Sequence, residues 1–286
     1  MKKTSPLLFI CLLLCGLMSA QSTNDTTVAP GSSLPGMGGL ALGLNGPGYI
    51  EVGGSHSNLS GGYSNWNDQY LRGVLSGGKN TFNYEFTHEA RFGDSGYFGT
   101  LGLTRTFSSN WYGEFSAGAS VGGFFLNRYS VGAILNRKLL KEKELVVNGG
   151  FGFDQSKTVN YDERFQAGAA YYFHIPVVLQ GGFLWTHTSP GNIFARTQYI
   201  AINEGYNKEH YFSLRYEYGR EGYEVIGPPV DSSPSYNVVF DFPEHTITGT
   251  WRQWIGPNWG VNLNIEQHQE TSYHRWGGTL GVFLDF

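Results

Sequence analysis

From about residue 48 onward, apolar residues alternate with polar or small ones in segments of about ten to thirteen residues. The stretch NTFNYEFTHEARF at 80–92 shows the pattern. Phe82 and Phe86 fall on one side of an extended chain. Asn83 and Glu85 fall on the other side. Because successive side chains of a strand point to opposite faces, this period of two predicts strands with one apolar and one polar face.

The pattern predicts about fourteen strands, with twelve or sixteen as alternatives. Their length is the informative feature, since strands in soluble proteins average about 5–6 residues, whereas strands that cross an outer membrane need about 9–11. The predicted strands cover 48–57, 68–77, 80–92, 95–107, 110–120, 127–139, 144–155, 161–173, 176–187, 191–204, 207–219, 244–255, 258–270 and 272–285.

The connections between these segments alternate in length. GGKN, FSSN, KEK, FHIP, EGYN and GPN are short, whereas the other class includes SNLSGGYSNW and the long run 220–243. Tight turns on one side and longer loops on the other are typical of transmembrane barrels, whose tight turns lie in the periplasm. The prediction is an all-β, up-and-down antiparallel transmembrane β-barrel with both chain ends in the periplasm.

Aromatic residues cluster near the predicted strand ends, where amphipathic rings form girdles at the two membrane interfaces. The predicted girdle residues are Trp111, Tyr112, Tyr171 to Phe173, Tyr216, Tyr218, Trp254, Trp259 and Trp276. The alternative is that aromatic residues simply favour strands.

Composition agrees with a barrel. Charged residues make up 15% of the chain and aromatic residues 16%, with 41 glycines and a mean hydropathy of -0.26. That hydropathy is too polar for a bundle of membrane helices. The formal net charge of -4 argues against a nucleic-acid partner.

The N-terminal region predicts export. Lys2 and Lys3 precede an apolar run from 7 to 17, which is too short to span a bilayer as a helix. We predict a signal peptide at 1–20, cleaved after Ala20, then a flexible leader at 21–47 and an outer-membrane barrel at 48–286. The alternative is a lipoprotein signal at Cys15, although Leu14 stands where a small residue is expected.

If the apolar faces meet lipid, the polar faces line the interior, because a basic residue on the lipid face costs about 2–4 kcal/mol at the bilayer midplane. These residues form either structural ion pairs or a polar conduit for a small solute or glycan. The predicted inward-facing residues are Glu85, Glu89, Arg91, Arg196, Arg215, Glu217, Arg252, Glu266, His268 and Arg275.

One short segment suggests an enzyme. WTHTSPGN contains His187, Ser189 and Asn192, and a serine activated by histidine is a hydrolytic arrangement. Its His-x-Ser spacing resembles that of outer-membrane phospholipases and lipid A deacylases, but Pro190 follows the serine where those families have Asn and Gly. The segment also suits a tight turn. GSHSN, with His56 and Ser57, is a weaker candidate. No metal-ligand spacing occurs, and we expect neither a metal nor a cofactor.

The run 220–243 ends in the apolar segment YNVVFDF. It can fold inward as a plug, pair as a hairpin, or extend the twelfth strand above the membrane. We favour extension. An adhesion or assembly barrel that acts through this loop is a further hypothesis.

The order of several segments resembles the YaiO family of outer-membrane β-barrel proteins. These are RFG at 91–93, NWYGEFSAGAS, NRYSVGAILNRKL, LQGGFLW, SLRYEYGREGYEVIG and WRQWIGPNWGVNLNIE. The resemblance implies a barrel in the Gram-negative outer membrane and no particular activity. The expected function is a porin-like pore or structural component, and a link to surface-polysaccharide traffic is a further hypothesis. Candidate partners are outer-membrane lipid and surface glycans or small solutes.

The end of the chain resembles the C-termini of other outer-membrane barrels. Thr279, Gly281, Leu284 and Phe286 match a pattern of polar, glycine, apolar and terminal aromatic residues. This resemblance implies recognition by the barrel-assembly machinery.

Overall fold

The computed structural model describes residues 48–206, 208–225, 238–271 and 273–286. These form fourteen strands in one closed antiparallel sheet. Their bounds are β1 Gly48–Leu59, β2 Trp66–Gly77, β3 Asn80–Arg91, β4 Asp94–Thr106, β5 Trp111–Gly122, β6 Tyr129–Leu139, β7 Leu145–Gln155, β8 Tyr161–Tyr172, β9 Val177–Ser189, β10 Ile193–Tyr206, β11 His210–Val225, β12 Val238–Trp254, β13 Trp259–Glu270 and β14 His274–Asp285.

Each strand pairs with its neighbours in sequence, and β1 pairs with β14 to close the barrel. The predicted fold class and the strand number of fourteen are therefore confirmed. Among the described residues, no helix is long and apolar enough to cross a membrane. The predicted signal peptide and leader lie outside the described residues.

The two faces of the sheet follow the alternation in sequence. On β3, Phe82 and Phe86 lie on the outer face and are more than half exposed, whereas Glu85 and Glu89 lie on the inner face and are buried. On β14, Leu280, Val282 and Leu284 lie outside in the same way, because every second residue faces outward. The outer face is thus an apolar surface around the whole barrel.

The two ends of the barrel differ. We call the end with Gly48 and Phe286 the terminal end and the other the distal end. Connections at the terminal end are short, as between β2 and β3. At the distal end, β11 and β12 continue past their other neighbours and pair with each other as far as Val225 and Val238. The twelfth strand is therefore extended, as predicted, within a projecting hairpin.

The predicted aromatic girdle needs correction. Trp111, Tyr171 and Trp259 lie on the outer face and are more than a third exposed, at the terminal end. Tyr112 and Trp254, however, are only 3% and 7% exposed. Their positions place them on the inner face, together with Tyr172. The prediction failed for these residues because clustering near a strand end does not specify a face; only position parity does.

The first and last described residues close the barrel through their backbones. Phe286 N donates to Gly48 O at 3.1 Å, and Gly48 N donates to Phe286 O at 3.3 Å. The Phe286 ring is 49% exposed on the outer face. The C-terminal aromatic residue therefore belongs to the seam between β14 and β1.

We predict that deletion of Phe286 reduces the fraction of protein that reaches the folded, heat-modifiable form in membranes by several-fold. The deletion removes both backbone hydrogen bonds of the seam and the terminal ring. Phe286→Tyr is the matched control and should assemble normally, because it keeps the backbone and an aromatic ring. Normal assembly of the deletion variant would contradict this role.

Candidate functional site: the inner face of the barrel

The strand register places the predicted inward-facing residues. Glu85, Glu89, Arg91, Arg215, Glu217, Arg252, Glu266, His268 and Arg275 all lie on the inner face. Arg196 does not. It shares the outer face of β10 with Phe194, pairs in register with Trp185, and its guanidinium carbon lies 6.0 Å from the Phe183 ring centroid. The prediction is wrong for Arg196, because even-numbered residues of β10 face outward. Near the distal end its long side chain can reach water.

The largest polar cluster of the inner face centres on Glu51, which the sequence analysis missed. Its carboxylate is fully buried and accepts four hydrogen bonds. Oε1 accepts from Tyr70 at 2.8 Å, Arg72 at 2.7 Å and Asn262 at 3.1 Å. Oε2 accepts from Arg252 at 3.1 Å. The cluster thereby joins β1 to β2, β12 and β13 across the barrel seam.

Aromatic rings surround the Arg252 side of this cluster. Its guanidinium carbon lies 3.6 Å from the ring centroid of Phe283 and 4.4 Å from that of Tyr49, which are cation–π distances. Trp254 Nε1 donates to Asp285 at 2.7 Å. These side chains pack together at the terminal end, so half of the interior there is filled by its own residues.

A second cluster fills the same half near the distal end. Guanidinium carbons of Arg275 and Arg91 lie 4.5 Å and 4.9 Å from the Trp66 ring centroid. Arg91 pairs with Glu89 at 2.9 Å, and Arg275 with Glu266 at 3.7 Å. Trp66 is 2% exposed. The interior is therefore packed beside β2, β3, β13 and β14 near the distal end, and beside β1, β11, β12 and β14 near the terminal end.

At the distal end, hydrogen bonds connect the β5–β6 loop to the β7–β8 loop, above the half of the interior formed by β4–β10. Lys157 Nζ donates to the carbonyls of Gly122 and Gly123, and Arg128 donates to Lys157 O at 3.2 Å. Partial burial lowers the pKa of the Lys157 ammonium, Asp94 opposes this shift, and Arg128 adds to it. Leu126, from the same β5–β6 loop, is 1% exposed and packs at Gly96.

One row of small residues crosses the inner wall from β4 to β7, between inner residues that carry larger side chains. Gly102, Ser116, Gly132 and Gly152 are paired in register on four successive strands, so one row across the wall has nothing larger than serine. Ser116 is partly exposed although it faces inward. A side chain that points into the barrel and still reaches solvent borders water. Ser116 therefore borders water-accessible space inside the barrel, and we call this row of four residues the bare wall.

A cavity lies against the bare wall. On the inner face it is bordered at one side by Asn83 and at the other by Arg164 and Gln166. The amide of Asn83 and the guanidinium of Arg164 lie over the glycines at the two ends of the row, where a Cβ would contact them. Glycine at these positions therefore leaves room for larger polar groups that lean in from neighbouring strands.

The terminal end is closed on eleven strands by an inner side chain that is at most 8% exposed. On β2–β4 the inner side chains at this end, Ser76, Thr81 and Thr104, are partly exposed. The buried residues, one per strand on β1 and β5–β14, are Tyr49, Tyr112, Asn136, Val146, Ala170, Val178, Asn203, Tyr211, Trp254, Asn262 and Phe283.

The hydrolase candidates lie on the outer face near the distal end. His187 Nδ1 lies 2.9 Å from Glu163 Oε2, and His187 Nε2 lies 3.3 Å from Asn192 Oδ1. The imidazole stacks on Phe194 with centroids 4.4 Å apart. Ser189 lies on the same outer face as His187, but both ring nitrogens of His187 have other partners. His56 and Ser57 point to opposite faces, so that pair cannot act as one site.

We predict that Ser189→Ala leaves fatty-acid release from phospholipid vesicles at the wild-type background. The reason is that His187 Nε2, which would have to accept the serine proton, faces Asn192 instead. Thr186→Ala, on the inner face of β9, is the control. Release above background that disappears only in Ser189→Ala would overturn the prediction.

In the part of the chain that the structure describes, one group at the surface has potential metal ligands. Glu142, Glu144 and His174 lie near one another on turns of the terminal end, with ligand atoms within 4.8 Å. These three residues lie outside the barrel interior and are separate from the Glu51 and Trp66 clusters.

Comparison with known proteins agrees with this architecture. The CymD monoaromatic hydrocarbon channel has a TM-score of 0.56 at 9% identity, covering 84% of this chain and 89% of that one. An anion-selective porin from Comamonas acidovorans has a TM-score of 0.42 at 10% identity over 84% and 98% of the two chains. The NalP translocator domain from Neisseria meningitidis has a TM-score of 0.46 at 11% identity over 94% and 99%.

At 9% identity the likeness to CymD, the one of these three with a TM-score above 0.5, concerns the fold alone. No curated protein matches the sequence. The family model described as the YaiO membrane beta barrel domain matches residues 47–224, more than half of the chain. The chain is therefore an outer-membrane β-barrel protein and belongs to the YaiO membrane β-barrel family.

Proposed function

We propose that this protein is a passive pore of the outer membrane, with a water path along the bare wall of β4–β7. The observation that carries the proposal is the uneven filling of the interior. Charged and aromatic side chains pack the half formed by β1–β3 and β11–β14, whereas the opposite wall presents the row of Gly102, Ser116, Gly132 and Gly152. A barrel with a purely structural role has no need to leave one wall bare.

The ends of the barrel support a continuous path. By the usual arrangement of outer-membrane barrels, the terminal end with its short turns faces the periplasm and the distal end faces outward. In the periplasmic half, the path leads to the Ser76, Thr81 and Thr104 sector, where inner side chains are partly exposed. A path displaced to one side is narrow, which suits small polar solutes. A link to surface-glycan traffic rests on the family resemblance.

Planar-bilayer recording tests the proposal. We expect purified protein to produce discrete, reproducible conductance steps in KCl, because ions can follow the hydrated wall. The control is the same preparation after boiling, which should produce no steps. A folded, heat-modifiable protein that inserts without conducting would contradict the proposal, and would favour an adhesion or assembly role for the projecting β11–β12 hairpin.

A further inference from the structure

The solutes that suit this path can be narrowed from the chemistry of its walls. The inner residues on and beside the bare wall carry mainly hydroxyl and amide groups. They include Thr104 on β4, Ser116 and Ser120 on β5, Ser130 on β6 and Gln166 on β8, all partly exposed. Hydroxyls and amides offer both donors and acceptors without a net charge. Such a surface exchanges hydrogen bonds readily with another hydroxyl-rich molecule.

The inner arginines do not provide a positive surface for anions. Each of the six pairs with a carboxylate, as in Arg72 with Glu51 at 2.7 Å and Arg91 with Glu89 at 2.9 Å. Arg164 beside the cavity pairs with Asp154. The remaining three pair with inner carboxylates in the same way: Arg215 with Glu217, Arg252 with Glu51, and Arg275 with Glu266.

Carboxylates also occur on the inner face without an arginine. Glu114 on β5 accepts a hydrogen bond from Asn136 Nδ2 at 2.8 Å. Its register partners are Thr104 and Ile134, so it borders the bare wall. Lys138, on the inner face of β6 at the terminal end, has its ammonium 5.4 Å from the Tyr112 ring centroid. Set against Glu114 and the paired arginines, it leaves the charge along the path neutral to negative, which disfavours anionic solutes.

The distal entrance adds an apolar element. Aromatic rings from four connections contact one another in series: Tyr63 with Tyr273 at 5.7 Å between centroids, Trp66 with Phe92 at 5.4 Å, and Phe92 with Phe125 at 6.0 Å. Tyr273 and Trp66, at 6.4 Å, join the two parts.

Arg91 and Arg275 already cover the Trp66 ring. The rings that a ligand can contact are therefore those at the two ends of the series. Tyr63 is 44% exposed and Phe124 is 40% exposed. Phe124 contacts Phe125 at 5.7 Å and continues the series toward the β5–β6 loop, above the bare wall. A sugar ring combines an apolar C–H face, which can lie on an aromatic ring, with a rim of hydroxyls.

We infer that the pore takes small uncharged polyhydroxylated solutes in preference to anions. The inference rests on the proposed pore function. The aromatic series at the entrance provides a surface on which the C–H face of a sugar can stack. Along the path, the hydroxyl and amide groups on and beside the bare wall can form hydrogen bonds with the hydroxyl groups of the sugar. The paired arginines leave no surplus positive charge to hold a carboxylate.

The test is uptake of labelled D-glucose and D-glucuronate into liposomes that contain the wild-type protein. The two sugars have nearly the same size and differ in charge. We expect glucose to enter roughly tenfold faster at low ionic strength, in keeping with the effect of one sign of charge along a narrow path. Glucuronate entry equal to or faster than glucose entry would overturn the inference while leaving the pore intact. Absence of both uptake and ion current would overturn the pore itself.

Two variants locate the effect. Gln166→Lys adds a positive charge beside the cavity and should raise the ratio of glucuronate entry to glucose entry several-fold. Gln166→Asn, which keeps the amide, is the matched control. Tyr63→Ala combined with Phe124→Ala should slow glucose entry at low concentration. Phe107→Ala, an exposed aromatic at the terminal end, should leave it unchanged. No change in the ratio of glucuronate entry to glucose entry with Gln166→Lys would contradict passage along this wall.

Discussion

Glu51→Gln should destabilise the folded barrel by about 3–5 kcal/mol, the usual cost of breaking a buried ion pair. The substitution keeps the size of the side chain and removes its charge. Arg72 and Arg252, which lie 2.7 Å and 3.1 Å from the carboxylate, would then share a neutral amide. An amide has one acceptor oxygen, so it cannot satisfy the four donors that the carboxylate binds.

The measurement is urea-induced unfolding in lipid vesicles, followed by tryptophan fluorescence. Glu163→Gln is the matched control, since that carboxylate has a side-chain exposure of 39% on the outer face and pairs with His187. A partly exposed pair of this kind contributes about 0–1 kcal/mol. Equal unfolding midpoints for Glu51→Gln and wild type would mean that the Glu51 cluster does not stabilise the seam.

The second large effect concerns conduction. Ser116→Trp should lower single-channel conductance by about half or more, because an aromatic ring with roughly 150–250 Å² of surface would enter the path opposite no bulky neighbour. Ser116 Oγ lies over its register partner Gly132, which has no side chain of its own, so the indole can lie on that side. Asn83 already covers the other partner, Gly102.

Ala117→Trp is the control for this substitution. Ala117 is the next residue of β5 and lies on the outer face, where an added indole meets lipid. Its conductance should equal that of wild type. If both variants conduct like wild type, ions do not pass along β5. If both lose conduction, the effect comes from altered folding, which the heat-modifiable gel shift would reveal.

Much of the fold could be predicted because membrane strands obey a local rule. Alternation within one segment specifies both the strand and its two faces, and β3 and β13 follow it closely. The positions of strand ends at the distal end were predicted less accurately. β1 extends to Leu59 and β2 begins at Trp66, two residues beyond the predicted bounds in each case, because backbone pairing continues beyond the apolar pattern. The outward position of Arg196 could have been predicted from β10 itself, because Phe194 and Ile200 are apolar and occupy the same alternate positions of the strand.

The organisation of the interior could not be predicted from local patterns. Glu51 and Arg252 are separated by 201 residues and meet only because β1 and β12 lie close together in the closed barrel. Predicting the bare wall requires the register of four strands at once. A glycine in one strand does not indicate which residues face it on the neighbouring strands. The signal that was available is the recurrence of Gly and Ser at alternate positions between 111 and 152.

The claim that water and solutes follow the bare wall is tested most directly by thiol labelling during current recording. Residues 48–286 contain no cysteine, so Ser116→Cys and Ala117→Cys each introduce a single target into the barrel. A charged, membrane-impermeant thiol reagent should react with Cys at 116 and reduce the current, and should leave the variant at 117 unaffected. An unreactive thiol at 116, or a reaction there without loss of current, would contradict a path along this wall.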